Sequence, residues 1–134
     1  MPTLPVTAVT ASVLALLFVK LSFAVIALRR QHRLSLVSGG HHALERIIRA
    51  HANFAEYTPI ALILLACLES YGAPWWLVAA AGTAVVAGRL FHAKEVTETA
   101  PCFGRCILGM QLTLSALIGL AIPNLGWFAL ARSG

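Results

Sequence analysis

Residues 6–28 read VTAVTASVLALLFVKLSFAVIAL, and residues 29–33 read RRQHR. The first stretch holds one charge, Lys20, in roughly 20 residues, enough for a helix to cross a hydrocarbon core of about 30 Å. It is too long for the apolar segment of a signal peptide. Its positive charge also follows the apolar run, whereas a cleavable signal carries that charge in front. The stretch therefore predicts a retained membrane-spanning helix whose basic end meets lipid headgroups.

Three further apolar runs follow the same pattern, and helices are expected at about 6–29, 44–69, 75–96 and 105–130. Ser38-Gly39-Gly40-His41-His42 reads as the first turn and Tyr71-Gly72-Ala73-Pro74 as the second. Trp75 and Trp76 open the third run as interfacial anchors, and Ala80, Ala84 and Gly88 form a small-residue stripe suited to close helix packing in lipid. Residues 94–101 form the third connection, with Pro101 at or just before a helix start. In the fourth run Pro123 is expected to bend the last third, and Trp127 marks the far interface. The fold class is an all-α membrane protein, one domain built as a four-helix bundle.

Composition agrees. Of 134 residues, 59% are hydrophobic and only 11% charged, and the mean hydropathy is +0.82; soluble domains are about a quarter charged. The net charge of +5 does not imply nucleic acid, because the basic residues cluster at the ends of apolar runs, where headgroups and topology account for them. The first connection and its flanks carry Arg29, Arg30, Arg33, Arg46 and Arg49, and the third carries Lys94 with Arg89 and Arg105 nearby. The second has no Lys or Arg. This bias places loops one and three in the cytoplasm and both termini outside. Cys67 reads as a small buried hydrophobe; Cys102 and Cys106 are too few for a zinc site, and no metal is expected.

Ionisable residues inside spans are costly and become candidates for function. On the second helix, Arg46, Arg49, Asn53, Glu56 and Tyr57 fall within a sector of roughly 100°. A cation, an amide, a carboxylate and a phenol on one face suit a zwitterionic ligand: arginine for its carboxylate, Glu56 for its ammonium. The competing reading is a structural network holding the bundle together. Pro59 removes a backbone hydrogen bond to the carbonyl of Ala55 beside this face. Arg89 and His92 add a second polar pair one turn apart, and Arg105 opens the fourth helix. His51 lies opposite the Arg49 and Asn53 sector, facing either a neighbouring subunit or headgroups. Lys20 and Glu56 come to similar depth on antiparallel helices, so an ion pair between them is one expectation, with Arg89 as a competing partner for Glu56.

The segment from Glu45 to Pro59, with its pattern Arg49-x-x-x-Asn53-x-x-Glu56-Tyr57-x-Pro59, resembles the signature of the MAPEG family, the membrane-associated proteins in eicosanoid and glutathione metabolism. Arg29-Arg30 and the run Arg89-x-x-His92-Ala93 are similar to its bacterial branch, and Arg105 stands 13 residues after His92 (105 − 92), a spacing found in the family. The resemblance covers nearly the whole chain and is sharpest on the second helix. It implies a homotrimer that binds glutathione as co-substrate in clefts between subunits, near the cytoplasmic face. By position, it assigns glutathione binding to Arg30, Arg49, His51, Asn53, Glu56, Tyr57, Arg89 and His92, and stabilisation of the thiolate to Arg105. Two positions depart from the pattern: Val96 stands where several members carry tyrosine, and Cys106 where a catalytic member carries serine.

The expected activity is therefore conjugation of glutathione to a lipophilic electrophile, or peroxide reduction, in a detoxification role. A nearby guanidinium lowers a thiol pKa that is otherwise near 8.5. The alternatives are a non-catalytic glutathione- or lipid-binding membrane protein and an accessory subunit of a transporter. Four short helices without an inverted repeat argue against a transporter acting alone.

Overall fold

The computed structural model describes residues 3–97 and 103–133, apart from the side chains of residues 95–97, 103, 105, 106, 128 and 130–133. Four helices follow one another: α1 (Pro5–Gln31), α2 (His42–Ser70), α3 (Trp75–Thr97) and α4 (Phe103–Ser133). Each contains a stretch long and apolar enough to cross a membrane. Two starts differ from expectation. α2 begins at His42 and α4 at Phe103, each two residues early (44 − 42, 105 − 103), because a helix runs on through polar residues until its backbone is redirected, and an apolar run does not mark that point. Residues 98–102, including Pro101 and Cys102, lie outside the described residues.

The connections are short for local reasons. Arg33, Gly39 and Gly40 adopt positive φ, which turns the chain between α1 and α2. α2 ends in a Schellman arrangement around Gly72, whose φ is +79°. Gly72 N–H donates to the Glu69 carbonyl at 3.0 Å and Ala73 N–H to the Leu68 carbonyl at 3.4 Å. The start of α1 has no acidic residue in its first turn. It is capped from a distance instead: Glu69, at the end of α2, accepts from Val6 N–H at 2.9 Å and Thr7 N–H at 2.8 Å. The carboxylate satisfies two amides the helix leaves open and sits at its positive end.

α2 and α3 pack together, with α1 against both on one side and α4 against both on the other; among the described residues α1 and α4 do not meet. Leu14, Leu21, Phe54, Leu65, Val85 and Leu120 form part of the shared core. α3 and α4 approach closely enough that a Cβ on Gly109 would lie 2.8 Å from the backbone nitrogen of His92. A Cβ on Gly88 would lie 2.7 Å from the Thr113 hydroxyl. The Gly88 end of the small-residue stripe is thus used inside the subunit, where absent side chains allow backbones to meet. Pro59 and Pro123 lie inside continuous helices, and Asn124 Nδ2 joins α4 to α2 by donating to the Leu64 carbonyl at 2.9 Å.

Candidate functional site

The charged chemistry gathers near the end of the bundle where α2 begins and α3 finishes. Arg89 is 1% exposed, the buried charge among the described residues, and what surrounds it is neutral. Its Nε and Nη2 donate to Thr113 Oγ1 at 3.1 and 2.6 Å. Its Nη1 donates to Asn53 Oδ1 at 2.7 Å. The Thr113 hydroxyl donates in turn to the Gly109 carbonyl at 2.9 Å, so one hydroxyl accepts from the cation and is held by the backbone. The guanidinium carbon sits 5.6 Å from the Tyr57 ring centroid, within cation–π reach. Hydrogen bonds and a ring quadrupole hold this cation while leaving its net charge in place.

That arrangement corrects one expectation: Arg89 pairs with Asn53 and Thr113, not with Glu56. Because a guanidinium cannot accept, Oδ1 of Asn53 must face Arg89, which leaves its NH₂ on the other side of the amide. That NH₂ has only the thioether of Met110 nearby, at 3.9 Å. Asn53 thus belongs to two environments, since it also lines an open cleft of ≈300 Å³ with Arg49, Ala52, Glu56 and His92. The cleft offers an exposed cation, an amide, a carboxylate and an imidazole, all from α2 and α3, with the Arg89 charge fixed behind the amide. Glu56 and Arg49 are exposed, and neither has a partner among the described residues.

The remaining predicted residues fall elsewhere. Tyr57 lies beneath Arg89 and is half-buried. Arg46 is half-buried with its Nε enclosed and unpartnered. His51 is turned inward against α1, which corrects the outward placement expected for it. It stacks on Phe18 with centroids 4.6 Å apart, and its Nε2 lies 3.0 Å from Ser22 Oγ. Arg30 lines a separate surface groove with Ile26, Arg29, Arg33, Leu34 and Ser35, away from the cleft within one subunit. The side chains of Arg105, Cys106 and Val96 lie outside the described residues. Lys20 and Glu56 are not brought together: Lys20 lines a groove between α1 and α3, and Glu56 lines the α2–α3 cleft. The expectation counted residues from Arg29 and Arg46, but such a count fixes neither the register of two packed helices nor the rotation of each: His51, five residues before Glu56, is what meets Phe18 and Ser22 on the turn of α1 that carries Lys20.

Sequence reasoning missed Thr113, the principal acceptor for Arg89, and Glu69, the cap of α1. A threonine in an apolar run carries no signal of its own. Glu69 had a faint one, because it ends a helix antiparallel to an α1 that lacks acidic residues. A further groove of ≈320 Å³ between α1 and α2 is almost wholly apolar, lined by Leu14, Phe18, Phe54, Thr58, Pro59 and Leu62 among others. No cluster of metal-ligating side chains occurs among the described residues.

Four membrane-spanning helices with a charged, amide-anchored cleft at one end define a small polytopic membrane protein. The chain belongs to the MAPEG family, whose model matches residues 7–126. It is 38% identical over 123 residues to the inner membrane protein YecN of Escherichia coli strain K12, with 92% of each chain covered. The protein of the same name from Escherichia coli O6:H1 is equally similar.

Proposed function

We propose that this protein binds glutathione in the α2–α3 cleft and transfers it to, or reduces with it, lipophilic electrophiles that arrive through the bilayer. The observation that carries this reading is the Asn53 bridge. A buried guanidinium without a carboxylate holds the Asn53 amide in the wall of a cleft that also carries an exposed arginine and an exposed carboxylate. Glutathione carries two carboxylates, an ammonium and a thiol. Arg49 suits a carboxylate of the peptide, and Glu56 its ammonium. Membership of the MAPEG family supports the same assignment.

On this reading Arg105 holds the thiolate. His92 positions the peptide beside it, while Arg30, His51, Tyr57 and Arg89 complete or support the site. Three subunits assemble so that a neighbour closes the open side of the cleft and gives Arg30 access to it. Loops one and three face the cytoplasm, which places the cleft where soluble glutathione reaches it, and both termini lie outside. The apolar α1–α2 groove gives a lipophilic substrate a path from the membrane.

The test is to purify the protein in mild detergent and measure glutathione binding by calorimetry together with conjugation to a generic aromatic electrophile. Saturable binding with turnover supports an enzyme. Binding without turnover identifies a non-catalytic glutathione-binding protein, and the absence of both rejects the proposal. Mass measurement corrected for detergent should give three copies.

A further inference from the structure

Lys20 is an intramembrane charge that the cleft does not use. It stands nine residues before Arg29 (29 − 20), about 14 Å along α1 from the basic end, and it is exposed on the subunit. It lines a groove of ≈470 Å³ between α1 and α3 with Leu17, Leu21, Ala87, Leu90 and Lys94. Because both helices run antiparallel to α2, α1 and α3 point the same way, and Lys94 lies one turn beyond Leu90, toward the Arg29 end. The groove is therefore largely apolar, with Phe91 also in its wall and the Lys20 and Lys94 stems toward the Arg29 end.

An ammonium at that depth is costly without an anion, and a four-carbon stem relieves that cost only in part by reaching toward the interface. Within the chain no carboxylate among the described residues meets Lys20. Glu69 is engaged at the start of α1 and Glu45 sits in the first turn of α2. Glu56 lines the other cleft. A partner for this groove needs a long apolar portion and one anionic group at its end, which is the pattern of a lipid and of neither a polar metabolite nor a soluble peptide. The volume is within the range of small-molecule sites, and basic pockets between membrane helices take anionic headgroups. We propose that this groove binds an anionic phospholipid, its acyl chain between α1 and α3 and its phosphate drawn in toward Lys20. The site is separate from the α2–α3 cleft and does not depend on glutathione chemistry.

Native mass spectrometry of the detergent-solubilised protein tests this with phosphatidylglycerol and phosphatidylcholine of identical acyl chains. Phosphatidylglycerol adducts should exceed phosphatidylcholine adducts about fivefold, as one lysine near a phosphate implies. Lys20→Met should remove that excess and Lys20→Arg retain it, while Ala87→Trp, which fills the groove, should suppress both adducts. Equal binding of the two lipids, or a preference that survives Lys20→Met, overturns the proposal. So does displacement of phosphatidylglycerol by an equal concentration of oleate, which would make the occupant a free fatty acid. Cross-linking of Leu90→Cys between copies in intact membranes would assign the groove to a second subunit and equally overturn it.

Discussion

Arg89 on α3 donates from Nη1 to the amide oxygen of Asn53 on α2 across 2.7 Å, and this contact joins α2 to α3 beside the cleft and decides which end of the amide meets the cation. Removing Asn53 leaves a buried cation with Thr113 as its remaining strong acceptor. Asn53→Ala should therefore destabilise the protein by about 2 kcal/mol, in the range for hydrogen bonds to buried charged groups. Asn53→Asp supplies a carboxylate in the same place and should keep thermal stability in detergent near that of the parent. If Asn53→Ala melts unchanged, the contact is not structural.

The close approach of α3 and α4 makes Gly109 sensitive to a single methyl group. A Cβ there would meet the backbone N and Cα of His92 at 2.8 and 3.1 Å, whereas on Gly119 it would meet nothing within 4 Å. Gly109→Ala should cost about 1–3 kcal/mol, since backbone cannot step aside as a side chain can. Gly119→Ala should be neutral or slightly stabilising. Melting curves of the two variants, side by side, separate packing from helix propensity.

Glu69 caps α1 across the bundle. Glu69→Ala should lower stability by about 1 kcal/mol and speed amide exchange at Val6 and Thr7, while exchange in the middle of α1 stays slow. Uniform acceleration along α1 would show that the carboxylate does more than cap it.

Lys20 and Glu56 occupy different grooves, so they should not be energetically coupled. The effects of Lys20→Met and Glu56→Gln on thermal stability should add within about 0.5 kcal/mol. A double substitution milder than the sum would reinstate an ion pair that the structure does not contain.

If Arg105 serves the thiolate and Arg49 serves glutathione carboxylates, the two substitutions separate kinetically. Arg105→Ala should lower kcat with little effect on glutathione affinity, and Arg49→Ala should chiefly raise KM. Steady-state conjugation rates across a glutathione series check both. Unchanged rates in both variants would remove these roles.

The number of spans, their approximate limits and the signature on α2 were legible in the chain, because each depends on local quantities. A bilayer imposes a length of apolar sequence, and a helix imposes a period that puts Arg49, Asn53 and Glu56 on one face. The turn at Gly72 was legible for the same reason, as only the backbone conformation of one residue is at stake. Tertiary structure alone decided which faces meet. Thr113 became the acceptor for Arg89 because two glycines bring α3 and α4 together, and His51 turned toward Phe18 and Ser22 because α1 packs on that side of α2. Lys20 was kept from Glu56 by the register and rotation of α1 against α2, which a residue count from each basic end does not contain. Spacing along a chain fixes height and angle within one helix; the relative rotation of two helices is set by side-chain packing between residues far apart in sequence.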